Sequence, residues 1–159
     1  MFYKETTPGH HEKYDEDWHV QITDLIGKTL KEVNRGRDND ELFFVTEDGD
    51  EYVMYHSQDC CESVTIEDIN GNLDDLVGKP IKIAREDSNH ADRDYESMTW
   101  TFYNFATDNG YVTIRWYGVS NGYYSEKVDF HKITPTGEFW DDQVKIGKMM
   151  LGLASGSRL

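Results

Sequence analysis

The eight residues Tyr55-His56-Ser57-Gln58-Asp59-Cys60-Cys61-Glu62 gather the only two cysteines of the chain with a histidine and two carboxylates. Two kinds of chemistry suit those types. In an extended segment alternate side chains share a face, so His56, Cys60 and Glu62 could together hold a zinc ion. Structural zinc sites draw on spaced pairs such as C-x-x-C, however, and the chain has no second pair. Alternatively, Asp59 and Glu62 have the spacing of a helix capping box, which would set Cys60 and Cys61 at a helix N-terminus. The dipole there lowers a thiol pKa, and His56 or His131 would serve as the base of a Cys–His enzyme. Against that reading, Val64, Thr65 and Ile66 favour strand, and a buried free cysteine is commonly a small core residue.

A second loop, Tyr117-Gly118-Val119-Ser120-Asn121-Gly122-Tyr123-Tyr124-Ser125, offers hydroxyls, flexible glycines and three tyrosines. Adaptable recognition surfaces use that mixture, because tyrosine buries much area at low entropy loss. With Arg115 and Trp116 beside it, the loop could stack a base or clamp a small nucleotide-like ligand. The competing reading is a hairpin whose aromatic cross-strand pairs hold a sheet together. His90, Asp92, Arg93 and Asp94 read as part of a solvent-exposed charged linker from Arg85 to Glu96. No phosphate loop, dinucleotide fingerprint, H-E-x-x-H pair or G-x-S-x-G elbow occurs, so no catalytic residue and no cofactor is assigned.

The elements that position these loops follow from composition and pattern. The 159 residues suit one domain, and 13% aromatic content argues for a folded, β-rich chain. No apolar run approaches the roughly 20 residues of a membrane span and the N-terminus lacks a signal-peptide layout, so a cytoplasmic protein without membrane association is expected. Neighbouring Cα atoms lie about 3.8 Å apart where an ordinary disulfide wants about 5.5 Å, which points to reduced thiols.

The net charge is −15, and from Asp38 to Gly78 there are thirteen acidic residues with no lysine or arginine. Glu47, Asp48, Asp50, Glu51, Glu67, Asp68, Asp74 and Asp75 make up most of that window. Such a face disfavours direct nucleic-acid binding and favours a basic protein surface or a cation. The competing reading is a solvated face that maintains solubility.

Glu47-Asp48-Gly49-Asp50 and Thr107-Asp108-Asn109-Gly110 each sit between apolar runs, a strong hairpin signal. Asp24-Leu25-Ile26-Gly27-Lys28-Thr29-Leu30-Lys31 is matched by Asp75-Leu76-Val77-Gly78-Lys79-Pro80-Ile81-Lys82. We therefore expect two copies of a strand-hairpin-loop-strand unit over 24–70 and 75–133. The expected fold is mostly β (α+β): about eight antiparallel strands in a sandwich or open barrel, with the two polar loops near one another across a pseudo-twofold axis. The domain spans 18–153 and ends in a short helix over Phe139 to Leu153, flanked by a loose arm over 1–17 and a flexible tail over 154–159.

Together with Asp75 to Ile81 and Ser120 to Ser125, the stretch Tyr55 to Glu62 resembles a small domain family of unknown function whose members are frequent in bacteriophage genomes. The resemblance runs from about Gly27 to Ile133, with Gln58-Asp59-Cys60-Cys61-Glu62 as its most specific part. It implies a setting and no chemistry: a phage-encoded accessory protein in the cytoplasm of an infected bacterium. Charge, size and this setting lead to an expected binding protein that inhibits a host defence or nucleic-acid-handling protein through its acidic surface. A sequestering protein for a nucleotide-like ligand, held by Arg115, Tyr123 and Tyr124, is the alternative. A Cys or metal enzyme is the third reading, and self-association into a homo-oligomer stays open.

Overall fold

Two-residue alternation sets the inward and outward faces of eight strands in the computed structural model, which describes residues 20–133. The arm expected over 1–17, the helix over 139–153 and the tail over 154–159 lie outside the described residues. The strands are β1 (Leu30–Arg35), β2 (Glu41–Thr46), β3 (Glu51–Tyr55), β4 (Ser63–Asn70), β5 (Ile83–Arg93), β6 (Glu96–Thr107), β7 (Gly110–Ser120) and β8 (Asp129–Lys132). They form two four-stranded antiparallel sheets, ordered β1-β2-β3-β8 and β4-β7-β6-β5. The result is a sandwich, with helical structure among the described residues limited to short 3-10 turns such as Ile22–Leu25 and Leu73–Leu76.

One apolar cluster fills the space between the sheets. Leu42, Phe44, Tyr52, Met54 and Phe130 come from the first, and Tyr103, Phe105, Val112, Ile114 and Trp116 from the second. Phe44 meets Phe105 across the gap at a ring separation of 5.7 Å. Phe43, Val53, Tyr55 and Ile133 form a smaller buried cluster on the opposite face of the first sheet, as alternation requires of their odd positions.

The two halves run through the same order of elements, with an exchange that the sequence did not announce. Strands β1, β2 and β3 build most of one sheet and β5, β6 and β7 most of the other, but each copy's fourth strand crosses over: β4 pairs with β7, and β8 pairs with β3. The matched turn segments interlock reciprocally. Gly27 N–H donates to Ile81 O at 2.8 Å, and its twin Gly78 N–H donates to Leu30 O at 3.0 Å. Both glycines hold the left-handed φ that such a turn demands, +90° and +91°. The preceding turns bury equivalent leucines, Leu25 and Leu76, completely.

The expected charged linker from Arg85 to Glu96 is instead strand. All eleven residues of β5 pair with β6, and the connection is a tight turn at Asp94-Tyr95. Asp87, Ser88 and Asn89 have poor strand propensity. They are extended because the apolar β6 offers a continuous ladder, and their charge and exposure suit a sheet edge that must not pair with a second chain.

Exchange makes each half incomplete. A chain divided after Gly71 should yield fragments 1–71 and 72–159 that each lack β signal in far-UV circular dichroism and recover it when mixed. Native-like spectra from either fragment alone would show that the crossing strands are dispensable.

Candidate functional site

Because β4 and β8 leave their own copies at the same end of the sandwich, residues 56–62 and 121–128 cross between the sheets side by side. His56 ties them together. Its Nδ1 lies 2.6 Å from Lys127 O and its Nε2 lies 2.7 Å from Glu62 Oε2. Both ring nitrogens are thus engaged, one at a backbone carbonyl and one at a buried carboxylate. The Ser57 N–H adds a bond to Asp129 Oδ2 at 3.0 Å.

Glu62 organises its loop. Its carboxylate also accepts from the N–H groups of Asp59 at 2.8 Å and Cys60 at 3.0 Å, while Gln58 Nε2 donates to Glu62 O at 2.7 Å. The side chains of His56 and Glu62 are 4% and 0% exposed. Burial works to raise the Glu62 carboxyl, and the His56 bond with the Cys60 and Asp59 N–H groups outweighs it, bringing the pKa down to about 2. The reach of Glu62 back to the Asp59 N–H is half of the expected capping box, but no helix follows, because β4 begins at Ser63.

The expectation of reduced thiols is corrected: Cys60 and Cys61 are joined in a vicinal disulfide, with Cα atoms 3.7 Å apart. The adjacency argument assumed the spacing of an ordinary bridge, which a ring closed between neighbours does not need. Both residues are exposed. The thiolate expected of a Cys–His enzyme is absent in this form, since His56 spends both nitrogens elsewhere and His131 packs against Tyr55, its Nδ1 3.3 Å from the phenol oxygen. Among the described residues no group of three or more His, Cys, Asp or Glu side chains is arranged to hold a metal ion, and His56, Cys60 and Glu62 are engaged as described.

The second crossover repeats the first with different groups. Glu126 follows Ser120 by six residues, as Glu62 follows His56, and Ser120 Oγ donates to Glu126 Oε2 at 2.5 Å. Thr99 Oγ1 donates to Glu126 Oε1 at 2.6 Å. Gly118 admits this arrangement, since a Cβ there would lie 2.9 Å from the Glu126 side chain. Burial again pushes the carboxyl up, but the hydroxyls of Ser120, Thr99 and Ser97 and the nearby His90 prevail, holding it below the usual carboxylate range. Glu126 lines a cleft of about 380 Å³ between its loop and the inner faces of β5 and β6, walled by Glu86, Ser88, His90, Thr101 and Tyr124.

The remaining predicted residues divide among three places. Tyr123 is exposed and stacks edge-on against Tyr124 at 5.0 Å, while Asn121 Oδ1 accepts from Tyr123 N–H, so Ser120, Asn121, Tyr123 and Tyr124 do gather at the second crossover. Arg115 and Tyr117 do not join them: they lie on the outer face of the second sheet, where Arg115 pairs with Glu67 at 2.8 Å and Tyr117 packs on Trp100. Trp116, expected beside the ligand, is fully buried and donates Nε1–H to Met54 Sδ. A one-residue shift of parity separates these outcomes, because β7 carries large side chains on both faces.

The acidic group is separated from both loops. The β2–β3 tip with Glu47, Asp48, Asp50 and Glu51 lies at the other end of the sandwich, where Glu47 N–H donates to Thr29 O. Leu30 bridges on to Val77, just after Asp74 and Asp75. Asp48 accepts from Thr46 Oγ1, Asp50 pairs with Lys132 at 3.4 Å, and the neighbouring tip pairs Asp108 with Lys82 at 2.5 Å.

A family described as Domain of unknown function (DUF7448) matches residues 23–130. The chain belongs to that family. Neither a curated protein nor a solved structure matches it. The DUF7448 match runs from the first 3-10 turn into β8, so both copies, both crossovers and the cleft fall within it. Also, no helix among the described residues is long and apolar enough to cross a membrane.

Sequence reasoning about this DUF7448 chain missed Glu126, Thr99 and Glu86. The available signal was the repeated six-residue interval that ends in glutamate after each hairpin.

Glu62 binds its proton less readily folded than unfolded, so its contribution is complete above about pH 4.5, the model-compound value, and falls away as the pH drops toward 2. Glu62→Gln should lower unfolding free energy by about 1–3 kcal/mol at pH 7 and flatten that acid limb, as read by urea titration across pH. Cys60→Ser with Cys61→Ser should shift Tm by under about 2 °C, since closing the shortest possible loop restricts the unfolded chain little.

Proposed function

We propose that the protein acts by binding: a phage-encoded accessory factor in an infected cell that docks acidic surface onto a basic protein of the host and inhibits it. The observation that carries this reading is the run of thirteen acids without a lysine or arginine from Asp38 to Gly78. Glu47, Asp48, Glu67, Asp68 and Asp74 of that run are exposed. A concentrated negative field speeds encounter with a basic partner and rejects bare nucleic acid, which suits a target that itself grips DNA or RNA. The phage setting rests on the resemblance of Gln58-Asp59-Cys60-Cys61-Glu62 and its companion segments.

The cleft supports a second reading, a sequestering protein for a small ligand. Its chemistry disfavours the nucleotide-like ligand expected from sequence: Glu86 and Glu126 line it, and its basic lining residues Lys127 and His90 lean on Asp129 and Asp92, whereas a phosphate needs cationic neutralisation. Arg115, the guanidinium assigned to that ligand, is committed to Glu67 on the outer face.

The docking reading is checked with immobilised protein and bacterial lysate at about 0.05 M and about 0.5 M salt, where screening lengths differ severalfold. Basic proteins should be retained at low salt and released at high salt, and a variant with Glu47, Asp48, Asp68 and Asp74 all changed to lysine should retain at least tenfold less. Retention unaffected by both salt and charge reversal would remove the acidic surface from the mechanism.

A further inference from the structure

Glu62 and Glu126 are structural twins with unequal neighbours. Glu62 has the basic His56 ring directly against it, 2.7 Å away. At the equivalent position Glu126 has the neutral Ser120, and its hydrogen bonds come from hydroxyls. Among the described residues no lysine, arginine or histidine forms an ion pair with Glu126, although it is only 9% exposed. A buried carboxylate without a direct ion-pair partner attracts a cation strongly. The basic side chains that line the same cleft have other bonds: His90 lies between Thr99 Oγ1 at 3.0 Å and Asp92 Oδ1 at 3.1 Å, reaching Glu126 only through the Thr99 hydroxyl, and Lys127 Nζ leans toward Asp129 at 3.8 Å.

We propose that the cleft in front of Glu126 binds an organic cation, a guanidinium or primary ammonium group, which fills the role that the His56 ring plays beside Glu62. The cleft is built for such a group. Its volume of about 380 Å³ suits a ligand of amino-acid size. The hydroxyls of Ser88 and Thr101 can accept from N–H donors, Glu86 supplies a second carboxylate, and Tyr124 adds an aromatic wall. Glu86 lies opposite the buried Tyr103 in the β5–β6 ladder. This site lies at the opposite end of the sandwich from the β2–β3 tip and holds whether or not that end docks a protein.

Isotope-labelled full-length protein titrated at fixed ionic strength tests the proposal, with agmatine, a blocked arginine peptide and the same peptide carrying citrulline as probes. The two guanidinium probes should move the amide resonances of Thr99, Ser120 and Glu126 and bind at least tenfold more tightly than the neutral citrulline peptide. Equal affinity for agmatine and the arginine peptide assigns a free small molecule as the source, and tighter peptide binding assigns a protein side chain. Ser88→Trp, which fills the cleft from an exposed edge position and leaves the bonds of Glu126 alone, should reduce agmatine affinity at least tenfold, as should Glu126→Gln if its spectrum stays dispersed. Equal binding of citrulline and arginine peptides, or unchanged agmatine binding by Ser88→Trp, overturns the cation site.

Discussion

Exchange of the fourth strands is the constraint on which the rest of the molecule depends. A three-stranded sheet made of β1, β2 and β3 presents β3 as an open edge, and β8 covers it; β4 does the same for β7. Open edges invite pairing with other chains, and the exchange replaces the β3 and β7 edges with the shorter β8 and β4. The exchange also dictates where the loops go. Both crossovers must leave from strands that end at the same side of the sandwich, so they pass close enough for the His56 ring to bond the backbone of Lys127. The reciprocal glycine bonds at the other end, Gly27 to Ile81 and Gly78 to Leu30, close the same arrangement.

A crossover between sheets leaves backbone donors without a ladder, and they need other acceptors. Each copy meets this need with a glutamate, by different routes. Glu62 folds back on its own loop and takes the Asp59 and Cys60 N–H groups directly. Glu126 instead takes hydroxyls, and one of them, Ser120 Oγ, in turn accepts the Gly122 N–H at 2.9 Å. The first route ends on the His56 ring and produces a closed loop. The second leaves a carboxylate lining a cleft.

Much of the fold was legible in the sequence because its signals are local. Asp48-Gly49 and Asn109-Gly110 mark both hairpin tips, and Gly49 does take a left-handed φ of +100°. The matched segments after Asp24 and Asp75 disclosed the repeat. Strand β5 escaped because its residues have no apolar alternation and owe their extension to a partner eleven pairs long. The exchange of β4 and β8 escaped because pairing between Ser63 and Val119 depends on distant sequence. At the candidate site, Ser120, Tyr123 and Tyr124 lie close together in sequence, whereas Glu126 and Thr99 meet across 27 residues and carry no local period. The separation of Arg115 from that loop was not legible because side-chain parity in β7 cannot be read when both faces carry large residues.

The two ends of the sandwich use negative charge under different physics. Exposed acids such as Asp48 and Asp74 act through water, where a single pair contributes less than about 1 kcal/mol and salt at physiological strength screens beyond about 8 Å. In the proposed docking, such charges would set encounter rates and reject wrong partners more than they would hold the right one. Glu126 sits behind hydroxyls in a recess, where screening is weak and a bound cation must fit the lining. Interactions at that end therefore depend on shape and donor geometry, and they persist in salt that silences the other. A molecule with both can be steered by one end and selective at the other, and the strand exchange keeps the two regimes apart by placing both crossovers opposite the β2–β3 and β6–β7 tips.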